Sequence, residues 1–275
     1  MINSCNTNLS KSGKLPVLLN GKDQYEGYIE ISQFICDNFD IDHSAFTSPE
    51  RLSAAHSLID LTVINLIENK LRLINQYNLY IVTTNYENVT RKLFKNYLPF
   101  PMMYNQPLKF YNIAQEEVKL IGIGKPKGFL GFGTGDNDDD LDKTVPLSKL
   151  HEQQLLSKNK EKLSIRESKN LFRACSLLDN ILRDIIEIYK VNQLGLTRSN
   201  ILLLAYIHTL SSDLPDKSLL SIIQNHEEFY QQCSDHIKSF NDQLKPIKPC
   251  NSSQSPNLLN EIHYKLSQIS ASLNF

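Results

Sequence analysis

The 275-residue chain carries 29 Lys and Arg against 30 Asp and Glu, a net charge of −1, so it lacks the basic excess of a general nucleic-acid binder. Apolar residues make up 41% of it, enough to pack the core of one large domain or two small ones. The longest apolar run, 201–207, falls far short of the roughly 20 residues a bilayer span needs, and the polar first ten residues do not read as a signal peptide.

The first element in chain order is the apolar run Leu15-Pro16-Val17-Leu18-Leu19, closed by Asn20-Gly21 as a turn. A second short strand is expected near Tyr25, ending at Gly27. Helical spacing of Ile31, Phe34 and Ile35 then predicts a helix over 29–38. Residues 49–75 read as a long, central helix with Ser48 as N-cap, Pro49 in its first position, and a face that includes Ile59, Val63, Ile67 and Ile74. Thr84 and Glu87 have capping-box spacing for a helix to about Tyr97. Pro99-Phe100-Pro101 breaks that helix, and the next is expected from about Gln106 to Leu120, with Pro107 in its first turn.

Residues 121–146 change character: six glycines (Gly122, Gly124, Gly128, Gly131, Gly133, Gly135) precede five aspartates between Asp136 and Asp142. A stretch this rich in glycine and charge reads as a flexible acidic insertion. Residues 147–165 are polar and weakly helical, and patterning returns over 169–191, where Phe172, Cys175, Leu178, Leu182, Ile185 and Tyr189 share a face. Leu196-Thr197-Arg198-Ser199-Asn200 opens a strongly apolar helix, 201–210. Helices are expected at 215–225 and 226–240, then a proline- and serine-rich linker over 245–256 and a short amphipathic helix at 257–270.

No motif in this order carries chemistry. Asp136, Asp138 and Asp140 occupy the first ligand positions of an EF-hand loop, but Leu141 and Leu147 stand where its Gly and bidentate Glu belong. The Gly122–Gly124 run follows a helix and lacks the GxxxxGK[ST] pattern of a phosphate cradle. No G-x-S-x-G elbow occurs, and His56 and His208 read as partly buried helix histidines. The five cysteines form no CxxC pair, and a zinc site from His226, Cys233 and His236 lacks a fourth ligand at standard spacing, so no metal or cofactor is expected. Tyr86, Phe94, Tyr97, Phe100, Tyr104, Phe110 and Tyr111 crowd around Pro99, Pro101 and Pro107 as either core or a protein-binding surface. The proline-framed loop names Phe100, Met102, Met103 and Tyr104 as interface candidates.

Two segments resemble the glutathione-transferase fold family. Leu15-Pro16-Val17-Leu18 followed by 27–39 is similar to its strand, hairpin and helix, with Pro16 at the cis-proline position. Residues 196–205 resemble the N-capping motif and buried helix of its helical domain, with Thr197 and Asn200 as the motif's ends. Where transferases hold the γ-glutamyl group with a Glu/Gln-Ser pair, this chain has Gly27-Tyr28, so the resemblance does not extend to catalysis. Asn78-Leu79-Tyr80, 84–94 and 98–108 resemble more narrowly the metaxin-like, thirty-seven-kilodalton subunit family of the fungal mitochondrial sorting and assembly machinery.

The resemblance implies an α+β fold: a thioredoxin-like half, 1–42, N-terminally truncated, then an all-α half, 43–240, interrupted by the insertion at 121–146 and followed by a linker and tail helix, 241–275. Because it begins inside the thioredoxin-like half, its first strand and helix are expected to be missing through a mis-assigned start. It implies a non-enzymatic scaffold, peripheral on the cytosolic face of the mitochondrial outer membrane, that supports folding, insertion and release of β-barrel precursors and protein import. Its partners would be a second metaxin-like subunit, the central barrel subunit and the central receptor of the general outer-membrane translocase, with membrane contact through them. A glutathione-dependent enzyme and a stand-alone adaptor of the same fold are the alternatives.

Overall fold

The computed structural model describes residues 10, 13, 15–39, 53–124, 149–192 and 196–243, with 259, 262, 263 and 266 of the tail; over 149–160 it describes the backbone alone. The expected helix start at Ser48-Pro49, the aspartate run and the linker therefore lie outside the described residues.

Strands β1 (Val17–Asn20) and β2 (Asp23–Glu26) form an antiparallel hairpin with Asn20 opposite Asp23. Gly21 supplies the turn's left-handed residue at φ 62°. Helix α1 (Gly27–Asn38) follows at once. Helix α2 runs from 54 to 81, capped by Ser53, whose hydroxyl accepts from the His56 N–H at 3.2 Å. It contains a widened turn at Ile67–Leu71 and extends past the predicted end at 75 through a second, Tyr77–Ile81. The apolar pattern fades there because the inward positions become polar: Asn75 and Asn78 are both buried.

Helix α3 spans 83–97 and does not use the expected capping box. Its N-cap is Val82, with no side-chain cap bond, and Glu87 pairs forward with Arg91 at 3.0 Å. Helix α4 (Met102–Glu117) begins a turn earlier than predicted, which puts Pro107 inside the helix. The Asn105 N–H closes its opening turn onto Pro101 O. Arg72 ties α4 to α2 by a 2.7 Å bond to Glu117.

The first residues of the expected insertion belong to the folded body. Gly122 ends a tight turn after α4 at φ 73°, and Ile123 is buried in the core. Gly124 O accepts from Asn170 Nδ2 at 2.9 Å. The backbone angle calls for glycine there; a Cβ would meet only the Arg173 guanidinium, the movable end of a long side chain.

Helix α5 (Lys149–Asn192) is one continuous element. Its C-terminal part buries Ala174, Leu178, Ile181, Leu182 and Ile185, whereas Phe172, predicted on the same face, is 77% exposed. Periodicity alone marks a face but not where the body covering it ends. Helices α6 (Arg198–Leu210), α7 (Ser218–Gln224) and α8 (Glu227–Gln243) complete the body. The main core joins Ile64, Ile67, Leu71 and Ile74 of α2 to Leu178 and Leu182 of α5 and Leu203 and Ile207 of α6. At about 1.5–3 kcal/mol per fully buried aliphatic side chain, this layer dominates the stability. His208 points away from it and is exposed. A hairpin and helix followed by a helical bulk make the chain α+β, in a glutathione-transferase-like arrangement.

Candidate functional site

The N-terminal piece and the helical body meet at the start of α6. The Leu15–Pro16 peptide is cis. Pro16 O accepts from the Gly27 N–H at 2.8 Å, which fixes the start of α1 against the entry to β1. Gly27 has φ 76°, and its lack of a side chain leaves open space at that point. Tyr28 turns into the junction, where its hydroxyl donates to Arg198 O at 2.6 Å. Burial, with the Asp60 carboxylate adding to it, pushes the Tyr28 phenol above its ordinary range, so it stays a neutral donor.

Arg198 is the hub of this junction. Its Nη1 donates to Gln33 Oε1 of α1 at 2.6 Å, and its Nε lies 3.4 Å from Asp60 Oδ2 of α2. Asp60 and Arg198 are both buried. The Ser199 N–H donates to Asp60 Oδ1 at 3.0 Å. The local cap read from Thr197 and Asn200 is thus replaced: Thr197 holds the N-cap position, but its hydroxyl makes no cap bond and pairs with the Ser199 hydroxyl at 2.9 Å. The cap acceptor comes from another helix, together with a negative charge where the helix dipole and the arginine favour one.

Beside this junction lies a groove of about 1390 Å³ between α1, α5, α6 and α8. Its wall is mainly apolar, with Ile31, Ile35, Tyr189, Leu204, Phe229 and Phe240 among its lining. At Gly27-Tyr28, the pair compared with the transferases, the first residue has no side chain and the second's hydroxyl is bound to Arg198 O. Cys233 also faces the groove, and burial pushes that thiol up to about 12. A neutral thiol is a poor nucleophile. Iodoacetamide at pH 8 is therefore expected to label Cys233 only after unfolding, and rapid labelling of the native protein there, mapped by peptide mass, would contradict the assignment. The buried neutral thiol favours the folded state fully below pH 9, and that contribution is lost as pH rises through about 12. His226, a weighed zinc ligand, instead faces Asp179 at 2.9 Å. Among the described residues no group of three or more potential ligands could hold a metal ion.

The proline-framed loop forms a second feature. The interface candidates separate: Phe100 is 71% and Tyr104 53% exposed, with ring centroids 6.4 Å apart. Met102 is 4% exposed, packed with Phe94 and Leu98 in a satellite core, and Met103 lies partly buried against it. Met102 is corrected from a surface residue to an internal one: because α4 starts there rather than at Gln106, Met102 and Gln106 share its inward face. Tyr80 and Phe110 stack at 6.0 Å beneath them, so the aromatic cluster is both core and surface. Tyr97, which sequence reading did not single out as an interface candidate, is also half-exposed at the end of α3.

Residues 1–111 match the family model described as Tom37, outer mitochondrial membrane transport complex protein, and residues 134–269 match the Tom37 C-terminal domain. No curated protein matches the chain.

Proposed function

The chain belongs to the Tom37 family of outer mitochondrial membrane transport complex proteins, and from that premise we propose that it is a non-enzymatic scaffold in β-barrel assembly. In this role it holds a second metaxin-like subunit and the central barrel subunit, assists folding, insertion and release of barrel precursors, and docks the central receptor of the general translocase. It sits on the cytosolic face, attached through these partners. Among the described residues no helix is long and apolar enough to cross a membrane, which is consistent with attachment of that kind.

The observation that carries the scaffold reading is the exposed Phe100–Tyr104 pair on a rigidly backed helical hairpin. Two large rings face solvent while Phe94, Leu98 and Met102 fix the surface beneath them. Aromatic side chains held in this way are the anchors from which interfaces draw most of their energy, and they lose little entropy on binding. The domain boundaries proposed for this scaffold follow the sequence: 1–42 as the thioredoxin-like half and 43–240 as the helical half.

The Phe100→Ala/Tyr104→Ala variant is expected to weaken co-migration with the outer-membrane complex on native gels of mitochondria by roughly tenfold or more. Its unfolding free energy from urea titration should stay within about 0.5 kcal/mol of the parent, as befits surface positions. Unchanged co-migration would remove this patch from the interface. Turnover of a thiol substrate by the purified chain would remove the scaffold reading itself.

A further inference from the structure

We propose that the Phe100–Tyr104 patch takes an acidic protein surface: Lys92, Lys95 and Tyr97 extend the patch, and the segment that docks there sets carboxylates around an apolar centre. This deepens the scaffold reading and rests on it. Between Glu87 and Glu116 the chain has no Asp or Glu, yet it carries Arg91, Lys92, Lys95 and Lys109. The whole chain has 30 acids against 29 bases, so this stretch is a local departure from a balanced composition. It forms the end of α3, the proline-framed loop and most of α4, which puts the basic side chains and the exposed rings on one helical hairpin.

The fold leaves two of these cations unanswered. Arg91 pairs with Glu87 at 3.0 Å, but Lys92 and Lys95 are exposed and make no ion pair among the described residues. Lys95 sits in the last turn of α3, with Tyr97 two residues on and Phe100 opening the way to Tyr104. Tyr97 and Tyr104 are each 53% exposed, so both phenols can donate to a carboxylate. Exposed rings with charged groups beside them match the apolar centre and polar rim of a protein interface. A neutral apolar partner would strip water from Lys92 and Lys95 without replacing it, and a basic one would repel them. Carboxylates on the partner remove both penalties. A lipid surface fits less well. Phe94 and Leu98 are packed inward, so the exposed rings do not form the continuous apolar face that an interfacial helix inserts.

Native gels of mitochondria carrying the tagged chain test the charge separately from the rings. Lys92→Glu/Lys95→Glu is expected to weaken co-migration with the outer-membrane complex by roughly tenfold or more, and Lys92→Arg/Lys95→Arg to leave it as in the parent. Lys162→Glu/Lys169→Glu, the same change of net charge on exposed positions of α5, should also co-migrate as the parent does. Assembly of the parent is expected to fall as salt rises, and that of Lys92→Gln/Lys95→Gln to be lower at low salt and less salt-dependent. Full co-migration of Lys92→Glu/Lys95→Glu, at equal amounts of folded protein, would overturn the proposal. If Phe100→Ala/Tyr104→Ala still weakened assembly in that case, the scaffold reading would stand without it. An equal loss in the α5 variant would overturn it too, by making net charge the cause. So would binding of the purified chain to vesicles of phosphatidylcholine and phosphatidylserine that Lys92→Glu/Lys95→Glu abolishes, which would put a lipid surface in the partner's place.

Discussion

Replacing Asp60 with alanine is expected to lower the stability by about 3–5 kcal/mol, read as a fall in the urea midpoint. The size follows from what the substitution leaves behind. Arg198 keeps its charge in a buried position, at the N-terminus of α6, where the helix dipole already disfavours a cation. The buried Ser199 N–H loses its acceptor at the same time. Removing the charge itself should recover part of the loss, so the Asp60→Leu/Arg198→Met double variant is expected to be more stable than Asp60→Ala alone. Arg198→Met also cuts the bond to Gln33, and limited proteolysis should then cleave the N-terminal hairpin and α1 before the helical body. A cost below about 1 kcal/mol for Asp60→Ala would mean that the pair is not the joint between the two pieces.

This joint also shows where reading from sequence stops. The hairpin was legible because its instructions are local: Asn20-Gly21 names the turn, and Gly21 adopts the backbone it requires. The buried face of α2 was legible because Ile59, Val63, Ile67 and Ile74 repeat at helical spacing. The cap of α6 was misread for the opposite reason. Thr197 and Asn200 have the spacing of a local motif, while the acceptor that serves is Asp60, 139 residues away from Ser199. Nothing in the chain near Asp60 distinguishes it from a solvated acid. The exposed rings were half legible: the density of aromatics and prolines marked the loop, but the division between Met102 inside and Phe100 and Tyr104 outside depends on the residue at which α4 begins. Residues 78–108, the stretch carrying the narrower resemblance, turn out to hold a polar structural knot next to the candidate surface.

That knot gives the second large expectation: Asn85→Ala should cost about 3 kcal/mol. Helix α2 ends in a widened turn and an extended residue, Val82, so its last carbonyls need partners from elsewhere. Asn85 Nδ2 donates to Asn78 O at 3.1 Å and to Asn78 Oδ1 at 2.9 Å, and Thr90 Oγ1 donates to Leu79 O at 2.7 Å. Asn85 Oδ1 accepts from the Asp216 N–H at 2.8 Å, which ties α3 to the loop before α7. Alanine would strand these groups in a site with no solvent access at Asn85. Aspartate keeps the acceptor for Asp216 but replaces the single Nδ2 group that makes both bonds with an oxygen facing Asn78 O and Oδ1, so Asn85→Asp should be at least as harmful as Asn85→Ala. Thr90→Val removes one bond and should cost about 1 kcal/mol. A double-mutant cycle on Asn78 and Asn85 is expected to show a coupling of about 1 kcal/mol or more, and additivity would mean the amide pair is incidental. The contrast with the surface pair is the functional argument: substitutions in the knot should lower complex assembly only in step with the amount of folded protein. Phe100→Ala/Tyr104→Ala should lower assembly at constant folded protein, which separates a fold that presents the surface from the surface that does the binding.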